Sequence, residues 1–337
     1  MKKKLLNLGF CFVLLFSSLG CTRVLAQEEL YMGVDIGGQS IKIGVVNEKG
    51  EIKEERKVGM DNQKSPQEVI AEITREIKKF KDYERIKTVG IGMPGDINAQ
   101  KGVVRFSPNL LKWKEVPLKG LVEQELEGKK VHVDNDANVA ALGAYYVDTE
   151  QKATNMVCVT LGTGVGGGIV INKKIYTGSS GSAGEVGHIT IDEKGPDCQC
   201  GSNGCIEAYI GEKYFIKYIE NYMKTTGKRL IKEGEALNCK TLYEKAQKGD
   251  ETAKEMWRFY GKKLGIGLAT IINILNPDSI VICGGVSSAS AYFMDTAKKE
   301  IKKRAYASAA ETCKITISKN TAKLGLIGAA MLAKEGK

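Results

Sequence analysis

The chain has 337 residues, 42% of them hydrophobic and 27% charged, a globular composition long enough for two domains and incompatible with a disordered or collagen-like protein. Lysine and arginine number 50 against 40 aspartates and glutamates, a formal charge of +10. The lysines are scattered in pairs such as Lys78-Lys79, Lys173-Lys174 and Lys302-Lys303 and are not gathered with aromatics on one segment. That pattern argues for plain surface lysines or an anionic small substrate, and against nucleic acid.

In chain order, residues 1–27 read as a leader: Lys2, Lys3 and Lys4, an apolar stretch from Phe10 to Phe16, and "VLA" before Gln27, the pattern of an export signal. Beyond it no apolar run reaches the length a membrane helix needs. "YMGVDIGGQSIKIGVVNEKGEI" predicts a strand, a Gly-Gly turn, a second strand and another turn. Ser65, Pro66 and Glu68 form a capping box, and Val69, Ile73, Ile77 and Phe80 follow at helical spacing. "TVGIGMPG" predicts a buried strand ending in a Pro-Gly turn, and "KKVHVDND" a strand running into the helix "ANVAALGAYY". "NMVCVTLGTGVGGGIVINKKIY" then repeats the pattern of the first unit about 125 residues later, which predicts a duplicated architecture with two halves facing a cleft. "GKKLGIGLATIINIL" predicts a helix ended by Asn276-Pro277, "SIVICGG" a strand closed by two glycines, and a last helix begins near Leu324. Strands alternating with helices indicate an α/β protein.

Three glycine turns at strand ends carry the first chemical signal. Gly37 and Gly38 offer backbone N–H groups where no side chain obstructs a phosphate, with Ser40 and Lys42 nearby as donors, and Asp35 is placed to hold Mg²⁺ through water. The same letters also suit a tight hairpin with glycines at positive φ. Gly162, Thr163 and Gly164 supply a second ring of amides and a hydroxyl, and Gly284 and Gly285 let the backbone approach a flat ligand such as adenine. "VDNDAN" sets Asn135 and Asp136 at a strand-to-helix junction, where a carboxylate can accept a proton from a sugar hydroxyl or simply cap the helix. His188 joins Cys198, Cys200 and Cys205 of "CQCGSNGC" as one imidazole and three thiolates, the ligand set of a structural zinc site. Disulfide pairing would leave one of the three cysteines over. Cys158 and Cys283 lie inside apolar runs and read as small core residues.

Taken together, "DIGG", "GIGMPG", "SPNL", "NDAN", "LGTGVGGGI", "AGEVGH", "CQCGSNGCIE", "LNPDSIVICGG" and "LGLIGAA", in that order from about Tyr31 to the C-terminus, resemble the ROK family of sugar kinases and repressors. The resemblance implies a two-domain actin-like ATPase (ribonuclease-H-like) fold, with ATP and a sugar in the cleft and phosphorylation at the 6-hydroxyl. It assigns the general base to Asp136 and the sugar hydroxyls to Asn135, Glu185, His188 and Glu207, with Gly95 and Asn109 lining the sugar pocket. His188 would serve twice, one ring nitrogen on zinc and the other toward the sugar. Gln39 stands where the family usually has threonine; it can still donate to a phosphate oxygen, but its longer side chain could crowd the loop. The expected division is 28–136 as an N-terminal domain completed by the helix 324–337, and 137–323 as a C-terminal domain with the zinc loop. Glucose is the first expected substrate and an N-acetylated hexosamine the second; a homodimer is the family's usual state. Family repressors carry a DNA-reading domain ahead of the first glycine loop, where only the leader precedes Asp35, so an enzyme is expected over a repressor or a silent sugar binder.

Export would bring oxidising conditions and no ATP, in conflict with three reduced thiolates and a nucleotide cleft. The leader's "SSLGC" is also a poor lipobox around Cys21. A cytoplasmic enzyme is therefore expected, with its native start after residue 20, near Val24, Leu25 or Met32.

Overall fold

Met32, Val34 and Ile36 alternate along the strand β1 (Leu30–Ile36) and are fully buried, which fixes the register of a mixed five-stranded sheet. The computed structural model describes residues 28–107, 110–232 and 234–336. β1 pairs antiparallel with β2 (Ser40–Asn47), which pairs antiparallel with β3 (Ile52–Gly59). Helix α1 (Pro66–Ile77) follows, with the expected reciprocal bonds between Ser65 and Glu68 at its start. β4 (Thr88–Met93) lies parallel to β1. After it come three short antiparallel strands, β5 (Asp96–Asn98), β6 (Val103–Phe106) and β7 (Lys114–Val116), then α2 (Leu118–Glu125). β8 (Lys130–Asn135) completes the order β3-β2-β1-β4-β8 and runs directly into α3 (Asp136–Val147).

The second sheet repeats that plan. β9 (Met156–Leu161), β10 (Val165–Ile171) and β11 (Lys174–Tyr176) are antiparallel neighbours. α4 (Glu207–Ile210), α5 (Glu212–Thr226), α6 (Cys239–Gln247) and α7 (Glu251–Leu275) follow, then β12 (Ser279–Cys283), α8 (Ser290–Arg304), α9 (Ala307–Thr312), β13 (Lys314–Ile317) and α10 (Leu324–Glu335). β12 lies parallel to both β9 and β13, giving β11-β10-β9-β12-β13, the same connectivity as the first sheet. The duplication read from two glycine-turn units is thus a topological repeat. α7 begins ten residues earlier than the sequence suggested: Asp250 caps it, and it ends as expected at Asn276, whose φ is +40°.

α3 and α10 lie between the two sheets, and glycine sets how closely. A Cβ at Gly90 on β4 would stand 1.8 Å from the Ala329 carbonyl of α10, and one at Gly328 on α10 would stand 1.7 Å from the Val139 carbonyl of α3. The core accordingly has three parts: α1 and α2 against the first sheet, α5 to α8 against the second, and α3 with α10 between them. Cys158 and Cys283 are buried in the central layer with their sulfurs 3.5 Å apart. Among the described residues no helix is long and apolar enough to cross a membrane. The leader and Asn109 lie outside the described residues.

Candidate active site

A cleft of about 600 Å³ opens between the two halves, within the usual range for small-molecule sites. Asp35, Gly95, Asn135, Asp136, Glu185, His188 and Glu207 line it, and so do Gly162, Thr163, Gly164, Gly284 and Gly285. Residues separated by up to 250 positions in the chain are therefore brought to one surface. The lining carries five carboxylates, from Asp35, Asp96, Asp136, Glu185 and Glu207, and no lysine or arginine among the described residues.

Asn135, not Asp136, caps α3. Its Oδ1 accepts from the amides of Ala137 at 2.8 Å and Asn138 at 3.4 Å, while its Nδ2 donates to the Gly95 carbonyl at 3.0 Å. One Nδ2 hydrogen remains for a ligand. Gly95 must be glycine: its φ is +118°, and a Cβ would meet the Phe106 carbonyl at 2.2 Å. Asp136, the first residue inside the helix, keeps its carboxylate open to the cleft and accepts the Ala137 amide at 2.9 Å. Its side chain touches solvent in the cleft, yet protein surrounds it at longer range. Removal of bulk water by those walls, then the charge of Asp35, then that of Glu185, push its carboxyl up to about 6.

Asp35, one residue before the end of β1, lies against the head of α10, where a Cβ at Gly325 would stand 2.5 Å from Asp35 Oδ2. Burial raises its pKa, and Lys42 at 3.4 Å works the other way. The Lys42 ammonium also donates to the Ala322 carbonyl at 2.8 Å, so it ties β2 to the approach of α10. Gly37, Gly38, Gln39, Ser40 and Lys42 are not part of the cleft lining. The Gly37 amide donates to the Ser40 carbonyl at 3.0 Å, a hairpin turn, but neither Gly37 nor Gly38 has the positive φ that the hairpin reading expected. A Cβ at Gly38 would meet nothing within 4 Å, so packing alone does not demand glycine there. Gln39 is exposed.

The other glycine turns have internal reasons for their glycines. Gly162 donates to the Gly164 carbonyl at 3.0 Å, and a Cβ at Gly164 would stand 2.4 Å from Glu207 Oε2. Glu207 in turn accepts the Val165 amide at 2.9 Å, which fastens α4 to the turn. Gly284 has φ +91°, and its Cβ would stand 2.2 Å from the Leu161 carbonyl. Asp96, Thr321 and Gly325 also line the cleft, and the sequence reading passed over them. Only Asp96 carried a signal, as the residue after the Pro-Gly turn.

His188, Cys198, Cys200 and Cys205 present four ligand atoms that all lie within 4.8 Å of one another. The His188 Nδ1 to Cys198 Sγ distance is 3.6 Å and Cys200 Sγ to Cys205 Sγ is 3.7 Å. A tetrahedral ion with bonds of about 2.3 Å to sulfur and about 2.0 Å to nitrogen has edges of about 3.5 to 3.8 Å, so the spacing fits one. The other ring nitrogen, Nε2, faces Glu185 Oε2 at 3.9 Å on the cleft side. One imidazole thus spans the cysteine cluster and the cleft.

Comparison with known proteins places this geometry. A solved ROK family glucokinase from Streptomyces griseus, in complex with glucose and AMPPNP, superposes with a TM-score of 0.77 at 33% identity, covering 91% of this chain and all of that one. A Thermotoga maritima glucokinase is 34% identical over 310 residues, 90% of this chain and 97% of its own length. A Caldicellulosiruptor bescii xylose repressor is 31% identical over 304 residues, 86% of this chain and 74% of the repressor. The fold is that of the actin-like ATPases. A sequence model of the ROK family matches residues 31–336, and the chain belongs to that family.

Proposed function

We propose that this protein is an ATP-dependent hexose kinase that phosphorylates the 6-hydroxyl of glucose; the alternative is a kinase of N-acetylated hexosamines or of another hexose. The observation that carries the proposal is Asp136: a carboxylate relieved of capping by Asn135, open to the cleft, and raised to about 6. Such a group is ionised near neutrality yet basic enough to take a hydroxyl proton. Names alone do not decide the activity, because relatives at similar identity are called glucokinases and xylose repressors.

In this reading Asp136 takes the proton of the 6-hydroxyl as its oxygen attacks the γ-phosphorus in line, and ADP leaves from the opposite side. Gly95, Asn109, the free Nδ2 hydrogen of Asn135, Glu185, His188 Nε2 and Glu207 hold the sugar. The turns at Gly37 to Ser40 and at Gly162 to Gly164 cradle the phosphates, and Gly284-Gly285 receives the adenine. Lys42 acts through Asp35 and the head of α10. Among the described residues the lining offers the phosphates no lysine or arginine, which suits a nucleotide that arrives with Mg²⁺. Asp35 would hold that ion through water, and the ion supplies neutralising charge. His188, Cys198, Cys200 and Cys205 would hold Zn²⁺, which supplies rigidity to the imidazole that faces the cleft. Action in the cytoplasm, as a homodimer, belongs to the same proposal.

The test is ADP release with ATP and Mg²⁺ over glucose, mannose, N-acetylglucosamine, N-acetylmannosamine, allose and fructose. Sugar-dependent turnover with the highest kcat/KM for glucose supports the reading. Absence of sugar-dependent ADP across the panel refutes it.

A further inference from the structure

One cation bridges the cleft walls without lining the cleft. Arg105, on β6, donates through Nη1 to Asp96 Oδ1 at 2.7 Å on the neighbouring strand β5. Through Nη2 it donates to the Ser180 carbonyl at 3.1 Å, in the loop 177–184 that follows β11 in the other half of the molecule. Asp96 lines the cleft on one side, and Gly181, Ser182 and Ala183 line it on the other. A single planar guanidinium therefore joins the two walls.

A second contact makes the junction close. Gly181 has φ +94°, and a Cβ there would stand 3.2 Å from the Ile97 carbonyl of β5. The loop also closes on itself, with the Ala183 amide donating to the Thr177 carbonyl at 3.1 Å. It is a preformed piece held against β5 by one arginine and one glycine. The next residue after it is Glu185, which faces His188, while Asp96 directly follows Gly95, which holds Asn135. The clasp thus closes over the residues proposed to hold the sugar.

Resting on that assignment of the sugar site, we propose that Arg105 is a specificity-determining positioning residue for the kinase reaction. By fixing Asp96 and the loop 177–184 at a set separation, it limits the ring substituents a sugar can carry into the cleft and favours an unsubstituted hexose over an enlarged one. Arginine suits the task because its rigid planar fork holds a carboxylate and a carbonyl in one fixed geometry, whereas a lysine ammonium on its flexible stem holds two acceptors without fixing their separation. The bridge is partly exposed, with 32% of the Arg105 side chain and 48% of Asp96 open to solvent, so its loss leaves overall stability nearly unchanged.

The test compares wild type with Arg105→Ala and Arg105→Lys on glucose and N-acetylglucosamine, with ATP and Mg²⁺. Both variants should raise the glucose KM about tenfold while kcat stays within about threefold, the pattern of lost positioning in the ground state. The ratio of kcat/KM for glucose over N-acetylglucosamine should fall by about tenfold, the scale on which pocket shape discriminates. Hydrogen exchange of amides in 177–184 should speed up in both, with melting temperatures unchanged. Wild type active on glucose, with both variants keeping its selectivity ratio within about twofold, overturns the clasp alone. Wild type inactive on every sugar overturns the proposed activity and the clasp's role together.

Discussion

Replacement of Asp136 by asparagine tests the catalytic reading most directly, because the structure separates chemistry from folding at this position. Asn135 supplies the cap, so Asp136→Asn leaves the start of α3 intact, and an asparagine oxygen can still accept the Ala137 amide now held at 2.9 Å. Loss of a general base lowers turnover by about 10² to 10⁴, or roughly 3 to 5 kcal/mol in the barrier. Sugar and nucleotide affinities, measured by calorimetry, should change little. In wild type the kcat/KM profile should fall by about tenfold per pH unit below a midpoint near 6, since protonated Asp136 cannot accept a proton. Glu185→Gln removes one of the charges that raise this carboxyl and should move the midpoint down. Stability carries an independent sign. Asp136 binds its proton more tightly folded than unfolded, so its contribution is fully present below about 4 and is lost as pH rises through about 6. Above that pH the asparagine variant should melt at a higher temperature than wild type, and the two should converge toward pH 4. A variant that kept more than about a tenth of wild-type turnover with binding unchanged would show that another group is the base.

Three further outcomes are expected. Cys200→Ser, or a strong chelator, should weaken sugar binding by about 10- to 100-fold and nucleotide binding much less, and metal analysis of freshly reduced protein should find zinc; equal loss of both affinities would disconnect the cysteine cluster from the sugar. Gln39→Thr should preserve or improve ATP affinity in a direct titration, because Gln39 is exposed beside the hairpin; a marked loss would reveal a contact made by the glutamine itself. Gly90→Ala places a Cβ 1.8 Å from the Ala329 carbonyl, where only backbone movement gives relief, so it should cost about 1 to 3 kcal/mol in urea unfolding, and an unchanged midpoint would mean that α10 does not rest on β4 as described.

The buried strands were legible because their apolar runs end in glycine, and the Ser65–Glu68 box announced α1 from its letters. The cysteine cluster was legible because its ligands are neighbours in sequence. β5 to β7 were not, since strands of three or four residues are too short for an alternating pattern to emerge. The letters show the Asn135-Asp136 pair but leave open whether the aspartate is a base or the helix cap; Asn135 takes the cap, and its amide is held by the Gly95 carbonyl, 40 positions away. Gly164 and Gly284 read as ligand-facing turns, although Glu207 and the Leu161 carbonyl already require glycine at both. Arg105 carried no signal at all, because its second partner is a backbone carbonyl 75 residues on, and carbonyls have no letter.

The crossing of α3 and α10 has an electrostatic consequence. At Gly328 against Val139 and at Gly143 against Leu324, backbone meets backbone with no side chain interlocked between them. The close approach lets Val139 and Leu142 of α3 pack in one buried cluster with Leu324, Ile327 and Met331 of α10. One carboxylate lies at the head of each helix: Asp136 begins α3, and Asp35 of β1 lies against Gly325 of α10. The crossing thus sets the gap between those two charges, and Coulomb repulsion across that gap is part of what makes Asp136 basic. The packing of α3 on α10 therefore also sets proton affinity: a shorter gap between the two charges would strengthen the base, and a longer one would weaken it.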